Sequence, residues 1–198
     1  MAFTAKDVQE LRQRTGAGMM ECKRALEETK GDKDRAVENL RKKGIAKAEK
    51  RLGKQTSEGQ ITSYIHHNGK VGVLVEVNCE TDFVARTDDF KTLAREIALH
   101  IASAAPLAVD KDGVPSEVVE RERRIFEEQA RASGKPENII AKMVDGKVES
   151  YYKDVALLSQ PWIREPKKTI GDLVKEASAR VGENIQVRRF VRFQMGEE

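Results

Sequence analysis

The sequence predicts an α+β protein: an N-terminal module of three short helices, then a core of packed helices and a small antiparallel sheet. Apolar residues recur at three- and four-residue intervals through residues 4–43, the mark of amphipathic helices. Asn68-Gly69 separates two strand-like runs, the strongest short-range hairpin signal. Strands early, helices between them and a strand pattern at the end indicate α+β rather than alternating α/β.

Thr4 is the first helix's cap, with Asp7 three residues on, a carboxylate variant of the capping box. Ala5, Val8 and Leu11 line one face. Thr15-Gly16-Ala17-Gly18 breaks the pattern. A second helix runs from Met19 to Thr29 with Cys22, Ala25, Leu26 and Thr29 inward, and Gly31 stops it, since glycine tolerates left-handed backbone. Asp32 caps a third helix carrying Ala36, Val37 and Leu40, and Gly44 is expected to close it. Three such helices bury little alone, so the module is expected to be marginally stable. Ile45 to Ser57 is either continuing helix or solvated linker, and the domain boundary is placed near Gly53, giving units 1–53 and 54–198.

The second part opens with strands over Gln60–His66 and Lys70–Cys79, joined by a turn whose two residues both accept positive φ. Thr87-Asp88-Asp89 starts a helix through Leu93, Ile97, Leu99 and Ile101 to Ser103. Pro115 to Ala132 is another, with Val118, Val119, Ile125 and Phe126 as its apolar positions, and Pro136 opens a third with Ile139, Ile140, Met143 and Val144. Tyr151 to Pro166 reads as irregular. Thr169 caps a last helix that buries Leu173, Val174 and Val181. In the closing strand Ile185, Val187, Val191 and Phe193 alternate with polar residues, and Arg189 breaks the pattern.

Composition excludes several functions. At 198 residues the chain can bury a real core without a disulfide scaffold. The net charge of +3 sets 36 basic against 33 acidic residues, a milder field than general nucleic-acid binding uses. Cys22 and Cys79 form no CxxC pair and lack the companions a zinc site needs, so reduced, packed thiols are expected. The N-terminus has no apolar signal-peptide core, and no apolar run approaches the roughly 18 residues of a membrane span. The chain is expected in the cytoplasm, away from membranes.

There is no Ser-His-Asp set, HExxH or dinucleotide signature, so an enzyme is not expected. His66 and His67, adjacent in a strand, point to opposite faces, and His100 stands alone, so structural or surface roles are expected. The glycine-rich Thr15–Met20 has no strand before it and no Gly-Lys-Ser/Thr after it, which makes it a tight turn rather than a phosphate loop. Met19 and Met20 cannot both face one small core. One is either packed or free for adaptable protein contacts. Arg41, Lys42, Lys43, Lys47, Lys50, Arg51 and Lys54 form the densest basic region, and Arg188, Arg189 and Arg192 another. Each is either a solvated face or a site for an acidic partner, protein or RNA. The first has no interleaved aromatic, which counts against single-strand stacking. A basic RNA-binding module remains the alternative function.

The most informative stretch is Val71–Phe90. A strand with Val71, Val73, Val75, Val77 and Cys79 on one face breaks into Glu80-Thr81-Asp82, and Phe83 follows at once. Either Thr81 or Asp82 caps a turn with Phe83 packed inward, or the ring projects into a partner. The latter describes a protein that acts by contact.

Two motifs carry a family resemblance. LRQRTGAGMMECKRAL, from Leu11 to Leu26, and EVNCETDFVART, from Glu76 to Thr87, are similar to the two signatures of the elongation factor Ts family, exchange factors for the GTPase elongation factor Tu. SGKPENIIAKMVDGK from Ser133 and the tail from Lys168 extend the resemblance over nearly the whole chain. The resemblance implies a ubiquitin-associated-like helical module that docks on the GTPase through Leu11, Arg12, Gly16, Ala17, Gly18, Met19 and Met20. It implies that Thr81, Asp82, Phe83 and Val84 dislodge the partner's Mg²⁺, with Phe83 as wedge and Asp82 in support. Mg²⁺ and GDP belong to the partner, so neither cofactor nor direct nucleotide binding is expected. The chain has no room for the duplicated core subdomain or inserted coiled coil of longer members. Short members are homodimers, and Leu157, Leu158, Trp162 and Ile163 are the expected interface.

Overall fold

The computed structural model describes residues 3–197. Its elements are α1 (Ala5–Thr15), α2 (Met19–Glu28), α3 (Lys33–Glu49), β1 (Glu58–Ile65), β2 (Val71–Cys79), α4 (Asp82–Ala85), α5 (Asp88–Ala104), α6 (Ser116–Arg131), α7 (Glu137–Val155), β3 (Pro161–Trp162), β4 (Glu165–Thr169), α8 (Ile170–Val181) and β5 (Gln186–Gln194). The architecture is α+β, as the sequence predicts. The chain forms two compact units. The first joins the residues up to Gln60 with Val77–Leu93 and Leu173–Gln186, and the second holds Ile61–Glu76, Ala94–Asp172 and Val187 onward.

In the first unit α1 starts in the expected box: the Thr4 N–H donates to Asp7 Oδ2 at 2.7 Å, and Thr4 Oγ1 accepts from the Asp7 N–H. Lys33 also pairs with Asp7 at 2.6 Å, and hydrogen bonds from Lys33 and then Thr4 hold the Asp7 carboxyl well below the usual range. Val8, Leu11, Cys22, Ala25, Leu26, Ala36 and Leu40 close the three-helix core. The left-handed stop after α2 falls on both Lys30 (φ 53°) and Gly31 (φ 90°), and the Gly31 N–H satisfies the Leu26 carbonyl at 2.8 Å.

Gly44 does not close α3, which continues to Glu49. A Cβ at Gly44 would lie 3.1 Å from the Ala179 Cβ of α8. Glycine here permits close approach of two helices rather than a chain reversal. The stretch from Ile45 is therefore helix to Glu49, followed by turns. The three helices are also not left alone, since Arg41 of α3 pairs with Glu176 of α8.

The sheet order is β1-β2-β5. The hairpin turn departs from the expectation. The Gly69 N–H reaches the His66 carbonyl at 2.8 Å, and Gly69 is left-handed at φ 67°, whereas Asn68 is not. The His66 N–H in turn reaches the Val71 carbonyl at 2.9 Å, so His67–Lys70 form a four-residue loop with one left-handed glycine. His66 and His67 lie beyond the end of β1, where strand alternation does not apply, and their ring centroids are 4.2 Å apart. β5 runs antiparallel to β2, because Arg189 pairs with Glu76 at 2.7 Å and the Met195 N–H reaches the Lys70 carbonyl at 2.9 Å.

β5 also departs from the predicted phase. Val187 is buried, Arg188 and Arg189 are both exposed, and from there Phe190, Arg192 and Gln194 turn partly inward while Val191 and Phe193 face out. Two successive outward residues invert everything beyond them, since the side-chain period is two. Arg192 is tolerated inside because its Nη1 pairs with Glu197 at 2.8 Å and its Nε reaches the Ala102 carbonyl.

α7 runs to Val155, so Tyr151 and Tyr152 are helical, and the supposed irregular stretch ends in a β3–β4 hairpin. Tyr152 packs on the α6–α7 core of Ala130, Ile140, Val144 and Val148, which is what extends the helix. Thr169 and Asp172 form a reciprocal cap on α8, with both backbone–side-chain bonds at 3.0 Å. Of the residues assigned to the inner face of α8, Val174 is buried, while Leu173 and Val181 are half-buried. Ile170 and Ser178 are the further buried positions. His100 is buried and bonded through Nε2 to Gln160 Oε1 at 3.0 Å.

Candidate functional site

Phe83 stands 79% exposed on the one-turn helix α4. Thr81 caps that turn, its Oγ1 accepting from the Val84 N–H at 3.5 Å. Ala85 is the buried residue of the turn, Val84 is half-buried, and the alternative of an inward ring does not hold. Asp82 pairs with Arg86 one turn later at 2.7 Å. Cys79 at the end of β2 is buried, and its thiol donates to the Thr81 carbonyl at 3.1 Å. Burial first, then the Glu183 carboxylate, pushes that thiol up to about 11, so it stays a protonated donor at neutral pH.

One turn of helix cannot hold an exposed ring by itself. Its base is held from distant parts of the chain. Arg51, just beyond α3, makes a two-pronged pair with Glu80, Nε to Oε1 at 2.9 Å and Nη2 to Oε2 at 2.7 Å. The Asn184 N–H donates to the same Glu80 carboxylate at 2.6 Å. Hydrogen bonding by Arg51, then by the Asn184 backbone, draws the Glu80 carboxyl down to about 2. Glu183 accepts from the N–H groups of Glu80 and Thr81 at 3.1 and 3.0 Å and from the Thr81 hydroxyl at 2.6 Å. Asn184 Nδ2 in turn donates to the Lys54 carbonyl at 2.9 Å.

Sequence reading missed Glu183 and Asn184 as site residues and took Arg51 only as part of a basic run. Glu183 lies 102 residues from Thr81 in the chain, and only the preceding Gly182, a left-handed helix stop, marks the place locally. The basic run itself is largely neutralised. Arg41, Lys42, Lys43, Lys47 and Arg51 pair with Glu176, Glu38, Glu28, Glu21 and Glu80 respectively.

The docking residues of the sequence reading divide. Leu11 is core, not surface. Arg12, Gly16, Gly18, Met19 and Met20 are exposed and Ala17 is half-buried. Met19 and Met20 both face solvent, at 43% and 60%. The turn before them is internally bonded: the Gly16 N–H reaches the Arg12 carbonyl at 2.8 Å, and the Ala17 N–H reaches Thr15 Oγ1. Those two N–H groups are thus used within the turn itself. Gly16 is left-handed at φ 69°, and a Cβ there would sit 2.8 Å from Arg180 Cγ.

In the second unit Leu157 is fully buried, so its side chain is not on the surface. Leu158 and Trp162 are half-buried and Ile163 is exposed. The larger apolar surface is the outer sheet face, where Ile61, Ile65, Leu74, Val191, Phe193 and Met195 are all exposed. Among the described residues no His/Cys/Asp/Glu group suited to a metal occurs, and no helix is long and apolar enough to cross a membrane.

A family model described as elongation factor TS matches residues 3–197. The elongation factor Ts of Fervidobacterium nodosum is 56% identical over 197 residues, covering 100% of both chains. That of Coprothermobacter proteolyticus is 57% identical over the same span and coverage. The Carboxydothermus hydrogenoformans protein is 55% identical over 98% of this chain and 90% of its own. The chain therefore belongs to the elongation factor Ts family, the nucleotide exchange factors of elongation factor Tu.

Proposed function

We propose that this chain speeds GDP release from elongation factor Tu by inserting Phe83 near the partner's Mg²⁺ and phosphate site, with Thr81, Asp82 and Val84 as the rest of the wedge. The observation that carries the reading is a phenylalanine 79% exposed on an element tied down at its base. Exposure of a large ring costs solvation in the free chain and is recovered only against a partner. No bond is made or broken by the chain itself. It holds no nucleotide or metal of its own, and it works in the cytoplasm, where its partner does.

Linkage fixes the scale. An exchange factor that weakens GDP binding is weakened equally by GDP. A ten-thousandfold effect needs about 5.5 kcal/mol, at about 1.4 kcal/mol per decade. Burying one phenylalanine supplies about 1.5–3 kcal/mol. A second surface must supply the rest. Residues 1–53 carry that docking role through Arg12, Met19, Met20 and the turn at Gly16–Gly18, and residues 54–198 carry the wedge and self-association. The neutralised basic run favours a protein partner over RNA.

The chain also pairs with a second copy of itself. The exposed sheet face supports this better than the set around Leu157, because its apolar side chains are already outward. Phe193→Asp should then give monomers in sedimentation velocity, and a parent chain that is already monomeric removes the proposal.

Stopped-flow release of a fluorescent GDP analogue tests the wedge. Phe83→Ala should lower the plateau rate at saturating chain by one to two decades, about what 1.5–3 kcal/mol allows, while half-saturation on the GDP-loaded partner changes little. An unchanged plateau sinks the wedge.

A further inference from the structure

We propose that Glu183 is a positioning residue for nucleotide exchange: its carboxylate fixes the base on which Phe83 stands. The inference rests on the wedge reading above. One carboxylate receives three donors from the segment that carries the ring: the Glu80 N–H at 3.1 Å, the Thr81 N–H at 3.0 Å and the Thr81 hydroxyl at 2.6 Å. Because Thr81 spends its proton on Glu183, its oxygen is left to accept from the Val84 N–H and cap α4. The chain of support therefore runs from Glu183 through Thr81 to the turn that presents Phe83.

Local support is slight: the Cys79 thiol donates to the Thr81 carbonyl and Asp82 pairs with Arg86. α4 has four residues, and Ala85 is its buried side chain. Its neighbour Asn184 grips Glu80 through its backbone N–H at 2.6 Å, and Arg51 grips the same carboxylate. The loop after α8 thus holds both residues at the foot of the wedge. Hydrogen bonds to an ionised acceptor are roughly twice as strong as neutral ones and shorter. A group that must push on another protein has to be fixed to within about half an ångström. A loose Phe83 would spend its burial energy on its own ordering instead of on the partner's nucleotide site.

The test is the stopped-flow assay on the full chain with GDP-loaded elongation factor Tu, reading plateau rate and half-saturation separately. Glu183→Ala should lower the plateau by about tenfold and shift half-saturation by less than about threefold. Glu183→Gln keeps the shape and can accept the two backbone N–H groups, so its plateau should fall between the two. On a Phe83→Ala background Glu183→Ala should cost nothing more, because two residues acting as one unit are not additive. An unchanged plateau in both Glu183 variants overturns the proposal. So does the same loss on the Phe83→Ala background, or a loss seen only in half-saturation. If Glu183→Ala proves unfolded by circular dichroism, the Gln variant alone decides, and a parental plateau in it overturns the proposal. If Phe83→Ala itself leaves the plateau intact, the wedge reading has failed. If Phe83→Ala lowers it and the Glu183 variants do not, only the role of Glu183 has failed.

Discussion

Replacing Gly44 by alanine tests whether α3 and α8 are packed as described. Gly44 lies inside α3 without a positive φ. On propensity alone, alanine in a helix interior gains about 1 kcal/mol over glycine. The structure opposes that gain. The new Cβ would sit 3.1 Å from the Ala179 Cβ, inside the roughly 3.5–4.0 Å optimum for carbon atoms. Forcing the helices apart costs about 1–3 kcal/mol as overpacking. The net expectation is a loss of about 1 kcal/mol, or a melting temperature about 2–4 °C lower for a chain of this size. Ala179→Gly alone should lose about 1 kcal/mol in propensity. The double variant moves the methyl group from one helix to the other and should return near the parent, a coupling of about 2 kcal/mol. Urea unfolding followed by circular dichroism measures all four corners of the cycle. Stabilisation by Gly44→Ala, or single effects that simply add, would falsify the packing.

Three further outcomes follow from the structure. Gly59 has φ 145°, and a Cβ there would overlap the Val77 carbonyl oxygen and lie 2.7 Å from Asn78 Cα. Gly59→Ala should therefore destabilise by more than about 2 kcal/mol in the same urea assay, since both obstacles are backbone. His100 has its pKa lowered by burial, against a smaller opposing effect of Gln160. The unfolded chain thus binds that proton first, and stability should fall as pH drops below about 6.5. Thermal melts of His100→Gln should lose that part of the pH dependence, and an identical pH profile would refute it. Glu80, drawn down to about 2 by Arg51 and Asn184, contributes stability above about pH 4.5 that is lost as pH falls toward 2. Arg51→Gln should flatten that acid limb, and an unchanged acid limb contradicts a stabilising Arg51–Glu80 pair.

Much of the fold is legible in local chemistry. The Thr4–Asp7 box, the Asp32 cap, the Asn-Gly hairpin and the Thr169 cap are all satisfied by partners within a few residues, so the sequence specifies them without reference to the rest of the chain. Local signals mislead where a distant surface decides. Gly44 has the composition of a helix stop, but Ala179 lies against it. The alternation of β5 is lost at Arg188-Arg189, where Arg189 pairs with Glu76 on the neighbouring strand. Tyr151-Tyr152 reads as irregular chain by sequence, but Tyr152 packs on the α6–α7 core and the helix continues through it.

The candidate site divides the same way. Sequence alone marks Thr81-Asp82-Phe83-Val84, because a strand that ends in a capping residue and a large ring is a local pattern, and it marks the family through two signatures. It does not say whether the ring points in or out, since a capped turn is compatible with both. Tertiary structure decides that, leaving Phe83 exposed and holding its base with Glu80, Thr81, Glu183, Asn184 and Arg51. The physical reason is separation. A cap or a turn is closed by neighbours at fixed offsets, whereas Glu183 meets Thr81 only after 102 residues of chain have folded between them.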